Sequence, residues 1–203
     1  MSATRAQDTA RPTLVYLHGF RSSPASVKAT ALRAAVDALP TDARPTLHIP
    51  DLQRGPAIAI AQVARLVQDA PCPVTVVGSS LGGFYATHIA ERFDVRAVII
   101  NPAVRPYLDL QPYLGIQTNL YTGEEFEVTV AHFGELRDLA VARITRPRRY
   151  WLMVETGDEV LDYREAVAFY AGACQYVRGG GDHAFQDYVR QIPAVLRFAG
   201  VRT

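Results

Sequence analysis

Gly78-Ser79-Ser80-Leu81-Gly82 is the stretch of this sequence with the clearest capacity for covalent chemistry. It fits G-x-S-x-G, a serine flanked two positions away on each side by glycine. The apolar run 74–78 precedes it and a helical pattern ending near Phe93 follows, the strand-turn-helix setting the motif requires. A serine at the tip of such a turn lifts its hydroxyl above the sheet, in a backbone conformation few residues tolerate. The glycines remove side chains that would collide where strand and helix converge. The helix start aims N–H groups and a positive dipole end at the same place, which favours a developing oxyanion. Ser80 is the candidate nucleophile; Ser79 lacks the flanking glycines. The same turn could cradle phosphate, but that use calls for G-x-x-x-x-G-K-[ST] or G-x-G-x-x-G. Neither is present, and the sole lysine, Lys28, is elsewhere.

A serine hydroxyl needs a general base within hydrogen-bond reach. Of the five histidines, His183 sits in GGGDHAF, a glycine-rich loop between the last strand pattern and the last helical one. Sites in sheets of this kind form at the carboxyl ends of the strands, where this loop belongs. His88 falls mid-helix, His48 on a strand and His132 in a long irregular interval, so packed or solvated roles suit them. The supporting acid should follow a strand between Ser80 and His183, and Asp158, directly after WLMVETG, fits. It would hold the imidazole tautomer and stabilise the imidazolium. Asp162 is the alternative, at a possible helix N-cap. Asp182 adjoins His183 and suits a loop role. Acyl transfer also needs N–H donors for the oxyanion. Leu81, after the nucleophile, and Phe20, after Gly19 at the end of the first strand, are the candidates. His18 then reads as a structural loop residue.

The elements that must position these groups alternate between short β-branched runs and longer helical patterns, which predicts a parallel sheet covered on both faces. Strands are expected at 13–18, 46–50, 74–78, 95–101, 150–156 and near Cys174. Helices are expected at about 25–39, 57–67, after the glycine turn, over YREAVAFYAGA and over FQDYVRQIPAVLRF, where Pro193 should kink or split the last. About six mostly parallel strands result. The interval 102–149 is too long for a simple crossover and carries Tyr107, Tyr113, Tyr121, Phe126 and Phe133, so a small cap or lid is expected there. The plainer reading is a helical crossover with one decorated loop.

With 203 residues the chain suits a single domain over 1–203, with 1–11 as a flexible tail. Apolar residues are 49%, charged residues 20% and net charge is +1, which gives no field suited to nucleic acid or an anionic membrane. No stretch has signal-peptide character or membrane-spanning length, which predicts a cytoplasmic protein. Cys72 and Cys174, the only cysteines, fit no metal-ligand spacing and read as small buried thiols. Arg146, Arg148 and Arg149 cluster before a strand; a solvated face is favoured over an anion site.

The blocks YLHGFRSSPASVKA, VVGSSLGGFYATHIAERF, INPAVRP, TGDEVLDYREAVAFY and GGGDHAF resemble those of the small YqiA-like esterases, a branch of the α/β-hydrolase superfamily. The resemblance implies a compact α/β-hydrolase fold and hydrolysis of carboxylic esters or thioesters without cofactor or metal. It carries over Ser80 as nucleophile, Asp158 as acid, His183 as base, and Phe20 and Leu81 at the oxyanion hole. The expected partner is a small-molecule ester or thioester, with no nucleic acid and no membrane. An acyl thioesterase would use the same triad. A peptidase or lipase fits less well, and a non-catalytic binding protein on this fold is the alternative of another class.

Overall fold

The computed structural model describes residues 11–71 and 73–202. The expected tail, apart from Arg11, and Cys72 lie outside the described residues. The order of elements is β1 (Thr13–Leu17), α1 (Val27–Asp37), β2 (Thr46–His48), α2 (Pro56–Asp69), β3 (Val74–Ser79), α3 (Leu81–Phe93), β4 (Arg96–Ile100), α4 (Pro106–Asp109), β5 (Gly115–Thr118), β6 (Glu125–Val128), α5 (Val130–Asp138), β7 (Tyr150–Glu155), α6 (Tyr163–Phe169), β8 (Cys174–Arg178) and α7 (Tyr188–Phe198). Six strands form one sheet in the order β2-β1-β3-β4-β7-β8, every neighbouring pair parallel. The architecture is the α/β-hydrolase one expected.

The pleat sorts each strand's side chains to two cores. Val15, Leu17, Val76, Ile99, Leu152 and Val154 meet α2 and α3 on one face, and Leu14, Tyr16, Val77, Val98, Ile100 and Met153 meet α1 and α7 on the other. Because both faces are covered, β1 and β3 are buried along their whole length. That is why they read as continuous apolar runs rather than alternating ones.

Strand order reverses direction between β1 and β3: the chain leaves β1 for β2 on one side and leaves β3 for β4 on the other. Leu17 pairs with Gly78, so the loops that follow these two strands diverge side by side and open a crevice at the carboxyl edge. The strongest sequence motif falls at this switch point.

Three expectations are corrected. Pro193 neither splits nor ends α7, which runs through it from Tyr188 to Phe198. Burial of Tyr188, Ile192, Val195 and Leu196 along one face holds the helix against the cost of the missing hydrogen bond. The helix starts later than the apolar pattern suggested, because Phe185 turns back at φ 54°. Cys174 is not a buried thiol but an exposed one, on the edge strand β8.

The interval 102–149 holds α4, an antiparallel hairpin of β5 and β6 outside the main sheet, and α5. Arg146 and Arg149, expected on a solvated face, both pair with Asp94 at the end of α3, Arg149 at 2.6 Å. Arg149, whose side chain is 9% exposed, also donates to the Ala90 carbonyl. These two arginines dock the end of the interval onto α3; Arg148 is exposed.

Candidate active site

Ser80 follows β3 and precedes α3 with φ 55° and ψ −122°. A non-glycine residue there is strained and must be held by its surroundings. Its N–H donates to the Ile100 carbonyl and its own carbonyl accepts from Gly83 and Ala103. The glycines explain how strand and helix can come so close. A Cβ on Gly78 would lie 2.1 Å from the Gly82 carbonyl oxygen, and one on Gly82 only 2.0 Å from that of Leu17. At those separations a side chain is excluded, so the motif's spacing reports a backbone approach between β1, β3 and α3.

The expected base and acid come to the same point. His183 Nε2 is 3.0 Å from Ser80 Oγ, and its Nδ1 is 2.9 and 3.0 Å from the two carboxylate oxygens of Asp158. Asp158 is almost fully enclosed at its side chain, and Oδ1 also accepts from the N–H groups of Val160 and Leu161. Those fixed donors hold the carboxylate as an acceptor, so Nδ1 carries the proton and Nε2 is left to accept from the serine.

Asp162, the alternative acid, instead caps α6 by accepting from the Arg164 N–H. Asp182 serves the loop, with Oδ2 accepting from Gln186. His88 contacts the Leu139 carbonyl and His132 Nδ1 accepts from Thr129 N–H in a capping box. Neither is a partner of Ser80; His48 lies on β2 at the far side of the sheet.

His18 is structural in a specific sense. Its Nε2 accepts from the Leu52 N–H and its Nδ1 faces the Gly19 carbonyl, which assigns the proton to Nδ1. Burial, ahead of any opposing contact, holds its pKa below the usual histidine value. Gly19 abuts the nucleophile, since a Cβ there would stand 3.1 Å from Ser80 Cβ. The backbone of Phe20 therefore begins beside Ser80, and Leu81 begins on its other side.

Two hollows flank the serine. A narrow apolar slot of about 60 Å³ is lined by Phe20, Leu81, Tyr85, Phe126, Phe133 and Leu136 among others. Phe20, one of its lining residues, meets Phe126 and Tyr113 edge-to-face at centroid distances of 5.8 and 5.4 Å. A wider cleft of about 410 Å³ contains Ser80 and His183 themselves and runs past α1 and the start of α7.

Residues unremarked in the sequence hold the histidine loop. Asn101, buried at φ 37°, donates from Nδ2 to the carbonyls of Asp182 and His183 and accepts at Oδ1 from the Glu155 N–H. Glu155, fully buried, pairs with Arg178 at 2.5 Å and accepts the Asp182 N–H. A Cβ on Gly181 would lie 2.0 Å from Glu155 Oε2, so the glycines let this loop close over a carboxylate instead of leaving it loose. Glu159 accepts the His183 N–H. The legible signal was a polar residue ending each of two apolar strands, Asn101 after VII and Glu155 after LMV.

Among the described residues no group of three or more His, Cys, Asp or Glu is arranged to hold a metal ion. No helix among them is long and apolar enough to cross a membrane.

The sequence profile of an uncharacterised protein family, UPF0227, matches residues 13–200. The chain belongs to that family. The resemblance to YqiA-like α/β hydrolases thus holds for family and fold. A pimeloyl-[acyl-carrier protein] methyl ester esterase of Vibrio campbellii is 35% identical over 141 residues, 62% of this chain and 53% of that protein. The chain therefore matches about half the length of this curated relative. Among solved structures, mouse alpha/beta hydrolase domain-containing protein 10 superposes with a TM-score of 0.69 at 18% identity, over 92% of this chain and 88% of that one. Est1E from Butyrivibrio proteoclasticus gives 0.68 at 14% identity, over 93% and 87%. At such identities these two establish the fold of the UPF0227 chain.

Proposed function

We propose that this UPF0227 chain is a serine esterase that cleaves carboxylic esters through an acyl-enzyme. The observation that carries the reading is the continuous line of contacts from Asp158 through His183 to Ser80, ending on a strained turn at the sheet's switch point. The Vibrio relative, a methyl ester esterase, supports the ester class.

Ser80 Oγ attacks the acyl carbonyl while His183 Nε2 takes its proton. Asp158 keeps the imidazole oriented and stabilises its charge. The N–H groups of Phe20 and Leu81 receive the oxyanion of the tetrahedral intermediate. His183 returns the proton to the departing alcohol, then activates the water that frees the acid. The apolar slot beside Phe20 and Leu81 takes the acyl chain, and its size favours short apolar ones. The segment 102–149 acts as a cap, since Phe126, Val128, Phe133 and Leu136 of that segment form one wall of the slot.

The test is hydrolysis of p-nitrophenyl acetate and butyrate, with fluorophosphonate labelling alongside. Ser80→Ala is expected to lower kcat by about a thousandfold or more and to abolish labelling. A folded wild-type chain that neither turns over nor labels would sink the reading and favour a binding role.

A further inference from the structure

The cleft beside His183 has a polar end that the hydrolytic reaction does not use. We propose that this end is a subsite for an anionic group, a carboxylate or a phosphate, carried on the alcohol portion of the ester. The inference rests on the serine-esterase reading and names the substrate class within it.

The side of the site is decided by the proton path. His183 must protonate the departing alcohol, so that alcohol lies in the hollow containing His183, which is the wide cleft and not the apolar slot. Along the cleft from His183, α1 presents its N-terminal end, with Ser26, Val27 and Lys28 all lining the wall.

Two buried hydroxyls there make no hydrogen bond among the described residues. Ser26 is the N-cap of α1, yet its side chain makes no capping bond; Oγ is buried, 5% exposed as a residue, and has no hydrogen-bond partner. An N-cap serine normally accepts from the first turn of its helix, so this one leaves those N–H groups open. Tyr188, at the start of α7, is 2% exposed, and its hydroxyl is likewise buried without a partner. The Tyr16 phenol, lining the same wall, stands close to both. A buried hydroxyl without a partner is costly, and a small adjustment of the wall that turns Ser26 and Tyr188 towards a ligand's oxygens would relieve it.

Lys28 supplies the charge. It donates once, to the Ala184 carbonyl at 2.5 Å, which leaves two of its three donors, and it makes no ion pair among the described residues. Burial, ahead of the fields of Asp182, Glu155 and Asp158, pushes its pKa down to about 8, so it is still largely protonated at neutral pH. Glu159 also lines the cleft, with its carboxylate engaged by the His183 N–H. A half-buried cation, two idle hydroxyls and an uncapped helix start converge where an oxyanion would be received by hydrogen bonds and by charge together.

Two measurements test this. The first compares kcat/KM for 4-carboxyphenyl butyrate and 4-(phosphonomethyl)phenyl butyrate with that for neutral 4-carbamoylphenyl butyrate. At least one anionic ester is expected to be preferred about tenfold or more, and which one identifies carboxylate or phosphate as the source. The ratio should fall towards one in Lys28→Met, and several-fold in Ser26→Ala and Tyr188→Phe, which remove only a hydroxyl. No preference in the wild type, or one that survives Lys28→Met, overturns the proposal. The second is calorimetric binding of 4-hydroxybenzoate and phenylphosphonate to Ser80→Ala. Anion binding that Lys28→Met abolishes supports the subsite even if no ester is cleaved, which would sink the esterase reading alone; absence of binding counts against the subsite alone.

Discussion

At the scale of single residues, the geometry around Ser80 is upheld by groups that do no chemistry. Asn101 is the clearest. Its amide donates to the carbonyls of Asp182 and His183 and accepts from the N–H of Glu155, so one side chain ties the histidine loop to β7. It acts as a positioning residue. Asn101→Ala removes these bonds and leaves buried polar groups unpaired, at about 1–3 kcal/mol of stability. Misplacing His183 by a fraction of an ångström is expected to lower kcat on p-nitrophenyl butyrate roughly ten- to a hundredfold. KM should change little, because Asn101 lines neither hollow. Steady-state kinetics check this; an unchanged kcat would mean that Glu155 and Glu159 hold the loop without it.

At the scale of elements, the β5–β6 hairpin and α5 form one wall of the apolar slot. They stand outside the main sheet, and their contribution to the slot is aromatic and aliphatic bulk packed on Phe20. Phe126, on β6, lines the slot from the hairpin. Phe126→Ala removes a ring that meets Phe20 edge-to-face, and should lengthen the slot. Relative to wild type, kcat/KM for p-nitrophenyl octanoate over acetate is expected to rise about tenfold, in line with a few methylenes of added apolar burial. An unaltered chain-length profile would place the acyl chain elsewhere. Under the proposed function, cap composition is thus a lever on specificity, while the elbow and the histidine loop carry the chemistry at the sheet edge.

At the scale of the whole molecule, the site depends on two loops that diverge because the sheet changes direction, and one of them is tied down by a neutral histidine. His18 links the end of β1 to Leu52 through the Nε2 lone pair, which a second proton would occupy. Its pKa in the fold is lowered, chiefly by burial, and that of His88 is lowered for the same leading reason. Folding favours the neutral form of each. The stability this linkage contributes is present above the ordinary histidine pKa of about 6.5 and is lost as pH falls below it towards the depressed folded values. The melting temperature should therefore decline between about pH 7 and 5. A His18→Gln variant, which cannot gain that proton, should show a shallower decline in calorimetric scans; parallel curves would place the acid sensitivity elsewhere.

What the sequence by itself determined was whatever depends on local pattern. The four central strands follow from apolar runs buried on both faces, and the elbow from glycine spacing that a backbone contact imposes. Ser80, Asp158 and His183 were legible because each follows a strand, and strand ends share one edge of a parallel sheet. Tertiary structure alone decided what depends on neighbours distant in the chain. Asn101 and Glu155 read as strand ends until the loop around Asp182 closed over them. Arg149 read as solvated until Asp94 received it. Pro193 read as a kink or a split because its penalty is local, while the burial that keeps α7 in one piece is not. Lys28 and Tyr188, 160 residues apart in sequence, line one cleft because α1 and α7 cover the same face of the sheet, a proximity that no local pattern encodes.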